Sequence, residues 1–136
     1  MSIEELETKI ALLIIKALAD KQCSESIEFA VAEKTVRLVK KKIFTDLTGY
    51  TCIIHSDEIR HIKKEHGDDV YLISQIPSYL TKFIRVEKSF SKNHKTGKSE
   101  HALVFHKRNS NNKVKIVKIN VSVKKVLKLK TFYVDA

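Results

Sequence analysis

The spacing of apolar residues changes once along this chain, near residue 82, and that change limits the folds open to it. Before it, apolar positions recur at helical intervals; after it, they alternate with polar ones, as half-buried strands require. Ile3, Leu6, Ile10, Leu13, Ile14 and Ala17 form a helical stripe over residues 2–20, and Ser2 with Glu5 makes a capping box. "DKQCSES" interrupts the stripe. Ser24 or Ser26 can cap a second helix running to about residue 46, with Ile27, Val31, Val39, Ile43 and Leu47 in fourfold register. These two helices are expected to pair. "LTGY" then marks a turn and "YTCII" a short strand. Ser56, followed by Asp57 and Glu58, starts a third helix that Gly67 ends in a left-handed cap. "SQIPSYL" predicts one further short helix.

Beyond residue 82, "KFIRVEKSF" and "HALVFHK" flank the loop "SKNHKTGKSE", and "RNSNNK" is a turn before "VKIVKINVSV". The ending "VLKLKTFYV" alternates at period two. Short connections favour hairpins, so the expected class is α+β: N-terminal helices packed against a twisted, mainly antiparallel sheet of about four strands. A length of 136 residues suits a single domain, and no linker divides the chain. Residues 1–46 form its helical segment and 47–136 carry the sheet.

Net charge is +10, unevenly divided. Residues 1–81 hold 11 Lys and Arg against 13 Asp and Glu; residues 82–136 hold 15 against 3. The excess therefore lies wholly in the strand-rich part, which points to a polyanionic partner, either nucleic acid or an acidic protein. A Lys-rich surface with no particular partner is the plain alternative. No apolar run reaches the ~18 residues of a membrane span. The start, "MSIEELETK", is too acidic and polar to read as a secretory signal. Cys23 and Cys52 stand far apart without a C-x-x-C partner. That pattern argues against a disulfide framework or zinc ribbon, and both thiols read as small buried hydrophobes in a reducing environment.

Three of the six histidines fall within "HSDEIRHIKKEHG", residues 55–67. A zinc-binding helix places two histidines four apart with Glu after the first. Here His61 and His66 are five apart and Glu65 precedes the second, so their side chains diverge by roughly 140°. No metal set is expected. His55, Ile59, Ile62 and His66 share one stripe, while His61 faces away beside Arg60 and Lys64. His66 can equally be a hydrogen-bonded histidine at a helix end, and His61 part of a solvated face. His101 and His106 bracket "HALVF" and point to opposite sides of their strand. On the last strand Thr131 and Tyr133 share a face with Leu129, with Lys130 opposite; Thr-x-Tyr is also plain β-propensity.

Imidazoles, ammonium groups and hydroxyls in one cleft suit metal-independent cleavage of RNA. A base removes the 2′-hydroxyl proton, the oxygen attacks phosphorus, an acid protonates the leaving 5′-oxygen, and cations stabilise the charge.

"IRHIKKEHGD", the short "IP" segment, the strand pair around "KTGKSEHALVFHK" and the terminal "LKTFYV" together resemble the phage-associated barnase–EndoU–colicin–RelE-like ribonuclease toxins. The resemblance covers about residues 47–136. It implies a nuclease domain with RNA bound across the sheet, and no cofactor. His61 and His66 would exchange protons, Lys107 would stabilise the phosphate, and Thr131 and Tyr133 would position it. Lys64, Lys98, His101, Arg108 and Lys130 are the further RNA contacts implied. It also implies tRNA or another structured RNA as substrate in the cytoplasm of a target bacterial cell, and an acidic cognate immunity protein. Two other readings stay open. One is a non-catalytic nucleic-acid-binding module; the other is a phage or virion interaction protein that docks through residues 2–46.

Overall fold

Helix α1, Ile3–Ala19, begins where the Ser2 hydroxyl accepts a hydrogen bond from the Glu5 amide at 3.1 Å. That bond satisfies one of the donors every helix start leaves without an intrahelical partner. Ile10, Leu13, Ile14 and Ala17 are buried, as their spacing predicts. The structure is a computed structural model that describes residues 2–92, 97, 99–108, 114–121 and 124–135.

The expected second helix is instead a strand and a shorter helix: β1, Ser26–Ala30, and α2, Glu33–Ile43. Neither Ser24 nor Ser26 caps α2, whose N-cap is Ala32. Ile27 fits the fourfold register, but Ile27 and Phe29 also alternate at period two. The second pattern wins because all five residues pair antiparallel with β2, Thr51–His55. Helix α3, Ser56–His66, is capped by the His55 ring, whose Nδ1 accepts from the Asp57 amide at 3.0 Å. Ser56, the expected cap, is buried instead. Its hydroxyl donates to the Cys23 carbonyl at 2.9 Å and accepts from the Glu25 amide at 3.1 Å. Gly67 ends α3 with φ 60° and ψ −131°, a positive-φ turn outside the left-handed well. A 3₁₀ segment, Gly67–Gln75, and the short α4, Ile76–Tyr79, follow.

The remaining strands are β3, Arg85–Lys92; β4, Ser99–Arg108; β5, Val114–Val121; and β6, Val126–Asp135. Among the described residues they complete a six-stranded sheet in the order β1-β2-β6-β5-β4-β3, antiparallel except for β2 against β6. The class is α+β as expected. Of the two strands that join the β3–β6 meander through the parallel pairing, β2 is the short strand expected at "YTCII" and β1 is the one the sequence reading did not place. One core cluster joins Ile10, Ile14 and Val39 to Phe105, Leu127 and Phe132, so α1 and α2 share the apolar interior of the sheet.

Strand β6 contains an irregularity that decides which side chains face that core. Lys118 pairs with Thr131, but the next residue of β5, Ile119, pairs with Leu129, so β6 carries one extra residue here, Lys130. Leu127 and Leu129 are buried ahead of this bulge, and Phe132 is buried after it. Simple alternation placed Thr131 and Tyr133 with Leu129. The extra residue reverses the parity, so both lie on the opposite face and are half-buried.

Cys23 and Cys52 are free and buried, and burial pushes the Cys52 thiol up to about 12. Only a thiolate attacks an alkylating reagent at a useful rate. Native protein at about pH 8 should therefore leave Cys52 unmodified by iodoacetamide, whereas denatured protein should take up label at both cysteines, as read by mass spectrometry. Among the described residues no helix is long and apolar enough to cross a membrane.

Candidate active site on strand β6

Strands β2 and β6 pair over only three positions, from Thr51 with Val126 to Ile53 with Lys128. Beyond them the chain of β2 turns into α3, and the edge of β6 is taken over by the end of α3 and the 3₁₀ segment. The Asp69 carboxylate accepts the Val134 amide hydrogen at 3.1 Å and so caps that edge. This packing brings His66 onto β6 across 65 residues of sequence. Its Nε2 lies 3.4 Å from the Thr131 Oγ1, and its ring stacks on Tyr133 with centroids 5.0 Å apart and planes inclined by 23°. Ring stacking of this kind restricts an imidazole to one orientation.

Glu65 links the two helix histidines. Its Oε1 is 3.2 Å from the His61 Nε2, and its Oε2 is 3.8 Å from the His66 Nε2. The helical divergence of the two imidazoles is real, and α3 runs on through His66. A carboxylate long enough to reach both bridges the gap. The His66 side chain is 28% exposed and that of His61 54%, so the first is held and the second stands in solvent.

One turn earlier on α3, burial pushes the Glu58 carboxyl above the usual carboxylate range, while the positive fields of His61, Lys128 and His55 pull it back. A carboxyl raised in this way binds its proton more tightly in the folded than in the unfolded state. Its contribution is therefore most favourable at acid pH and is lost as pH rises through the raised value. Glu58→Gln should raise the unfolding midpoint relative to the parent at about pH 8, with the gain shrinking to nothing once both forms are neutral at about pH 3. Thermal melts across that range check it.

Cross-strand register adds a residue that sequence reasoning passed over. Arg85 pairs with His106, His106 with position 116, and position 116 with Tyr133. His106 therefore belongs to the row of Tyr133, two strands away on the same face. Its Nε2 lies 3.2 Å from Glu87 Oε1, and the other Glu87 oxygen pairs with Arg85 at 2.6 Å. Lys107 is not brought to this cluster. It follows the parity of the buried Leu103 and Phe105 on the helix-covered face, and its ammonium donates to the Arg108 carbonyl at 2.8 Å. His101 shares that parity, is exposed, and meets Phe90 edge-on with ring centroids 4.7 Å apart. Lys64 is exposed on α3 and Arg108 exposed at the end of β4. Lys130 is the half-buried bulge residue. Lys98 lies outside the described residues.

Strand parity alone separates His106 from His101 and Lys107. By contrast, helix spacing already sets Glu58 and Glu65 beside His61 on α3, and only the packing of α3 along β6 brings the exposed Lys128 to them. Among the described residues no group of three or more His, Cys, Asp or Glu side chains could hold a metal ion. No family model matches this chain, and no curated protein or solved structure does.

Proposed function

We propose that the chain is a metal-independent endoribonuclease of the barnase–EndoU–colicin–RelE type, a toxin acting on tRNA or another structured RNA in the cytoplasm of a target bacterium. The observation that supports this reading most is His66, seated on Thr131 and Tyr133 of β6. In the reaction His66 takes the proton of a ribose 2′-hydroxyl, and the oxygen attacks the adjacent phosphorus. The bond to the 5′-oxygen breaks, and that oxygen takes a proton from His61, which enters as imidazolium and leaves neutral. The products are a 2′,3′-cyclic phosphate and a 5′-hydroxyl. Hydroxyl hydrogens of Thr131 and Tyr133 and the ammonium of Lys128 stabilise the phosphoryl oxygens as charge builds on them. An acidic immunity protein is the natural antagonist, because complementary charge against the basic half speeds capture.

Purified protein incubated with total RNA in EDTA tests the reading. Discrete fragments ending in 2′,3′-cyclic phosphate are expected; RNA left intact by a folded sample overturns it. A second reading, a non-catalytic nucleic-acid-binding module, has one observation in its favour. Phe90 is 66% exposed, carries His101 against its edge, and lies between the exposed Lys88 and Lys92. Aromatic rings in basic surroundings stack on bases of any sequence. On that reading Phe90→Ala weakens RNA binding, and no variant changes cleavage because there is none.

A further inference from the structure

We infer that the open edge of β1 accepts an added β-strand from a partner protein, an extended segment whose side chains alternate between apolar and basic. This inference does not depend on the nuclease reading.

Strand β1 is the outermost strand on its side of the sheet. The Val31 amide donates to the Tyr50 carbonyl at 3.0 Å, and the Ser56 amide donates to the Glu25 carbonyl at 2.9 Å. Antiparallel bonding alternates along a strand. Positions 25, 27, 29 and 31 therefore bond toward β2, and Ser26, Glu28 and Ala30 direct their N–H and C=O groups outward. All three of the latter are exposed. Ile27 and Phe29 pair in register with Ile54 and Cys52 and share their core-side face. Yet Ile54 and Cys52 are 1% and 3% exposed, while Ile27 and Phe29 are only half-buried. The difference is the neighbour that an inner strand has and that β1, among the described residues, lacks.

Helix α1 forms the other wall of the space beside this edge. A hollow of about 390 Å³ lies between Ile3, Leu6 and Phe29, and another of about 210 Å³ between Leu12, Leu13 and Ile27. Phe29 and Ile27 are two residues apart, the spacing at which side chains leave one face of a strand. Successive core-side residues of an added strand would thus enter one hollow each. They would cover Ile3 and Leu12, now 44% and 61% exposed.

Charge selects the other face of that strand. Glu28 stands exposed at the middle of β1, and Glu4, Glu5 and Glu33 neighbour the lining residues Ile3 and Ala32 along the chain. Lys16 is already paired with Glu25 at 2.5 Å. Cations opposite Glu28 are favoured, whereas a second copy of β1 would bring Glu28 against its own kind.

The experiment uses the full chain and two synthetic peptides of about eight residues, one alternating Val with Lys and one Val with Glu, with binding followed by calorimetry. The parent should bind the Lys peptide at least about tenfold more tightly than the Glu peptide. Since the chain carries +10, unspecific attraction would give the reverse order, and that order overturns the inference, as does binding of neither. Glu28→Pro removes an outward N–H while sparing every bond to β2. It should weaken the Lys peptide by about tenfold or more, and unchanged affinity in a folded variant overturns the inference. Glu28→Lys keeps the backbone intact and should reverse the peptide preference, which decides the matter should the proline variant unfold. Peptide-free self-association that Glu28→Pro abolishes would assign the edge to a second copy and overturn the partner assignment.

Discussion

Replacing His66 with alanine should lower single-turnover RNA cleavage by about 10²–10⁴-fold, the range expected when one proton-transfer group is lost. The protein should stay folded. His66 sits at the last turn of α3, and it meets the ring of Tyr133, the Thr131 hydroxyl at 3.4 Å and the Glu65 carboxylate at 3.8 Å. Loss of a single stacked pair costs about 0.5–1.5 kcal/mol, a small share of the roughly 5–15 kcal/mol that holds a domain together. His61→Ala should slow the same step, with leaving-group protonation now falling to water. Lys107→Ala supplies the contrast. The family resemblance makes this residue a phosphate ligand, but strand parity puts it on the helix-covered face, so cleavage should stay within about twofold of the parent. Parent-like cleavage by His66→Ala would remove His66 from the reaction. A collapse on Lys107→Ala would mean that RNA reaches the other face.

Deleting Lys130 should unfold the protein or leave it a molten remnant, a larger loss than any single truncation in β6. Without the extra residue, unbroken alternation would send Phe132 to solvent and press Thr131 and Tyr133 into the core, because a one-residue slip exchanges the two faces of a strand. Phe132 is fully buried and stacks parallel to Tyr79 at 6.1 Å. Truncating it alone, in Phe132→Ala, should cost about 3–5 kcal/mol. Lys130→Ala keeps the residue count and should stay within about 1 kcal/mol of the parent. Urea denaturation followed by circular dichroism separates the three. A deletion variant with the parent midpoint would show that the bulge does not set the faces.

The same bulge marks where sequence reading succeeds and where it stops. Helix α1 is legible because one stripe of five turns has a single interpretation, and α3 because Ile59 and Ile62 share its buried face while His61 leaves it. The β3–β6 meander is legible from alternation and turn residues. Strand β1 is not, since a window holding Ile27, Phe29 and Val31 satisfies both periods, and only the partner strand β2 settles the choice. An inserted residue leaves no trace in a periodic pattern short enough to be reset by it, so the side taken by Thr131 and Tyr133 could not be counted out from Leu129. Part of the candidate site was visible as residue types: the helix histidines and the last-strand hydroxyls. Glu65 as a bridge follows from helix spacing, but Glu58 beside Lys128 and His66 beside Thr131 depend on α3 lying along β6, a long-range packing outcome that no local spacing encodes.

Strand β6 comes after every other strand in the chain yet lies between β2 and β5 in the sheet. The earlier strands must therefore leave a vacant lane through the middle of the molecule until residues 126–135 arrive to fill it. Long-range pairing of this sort is slow to nucleate, and two unzipped edges stay available to wrong partners in the meantime. Because Thr131 and Tyr133 ride on that final insert, a partly made chain holds its histidines with nothing opposite them. On the nuclease reading proposed above, the site is complete only once that last strand is in place.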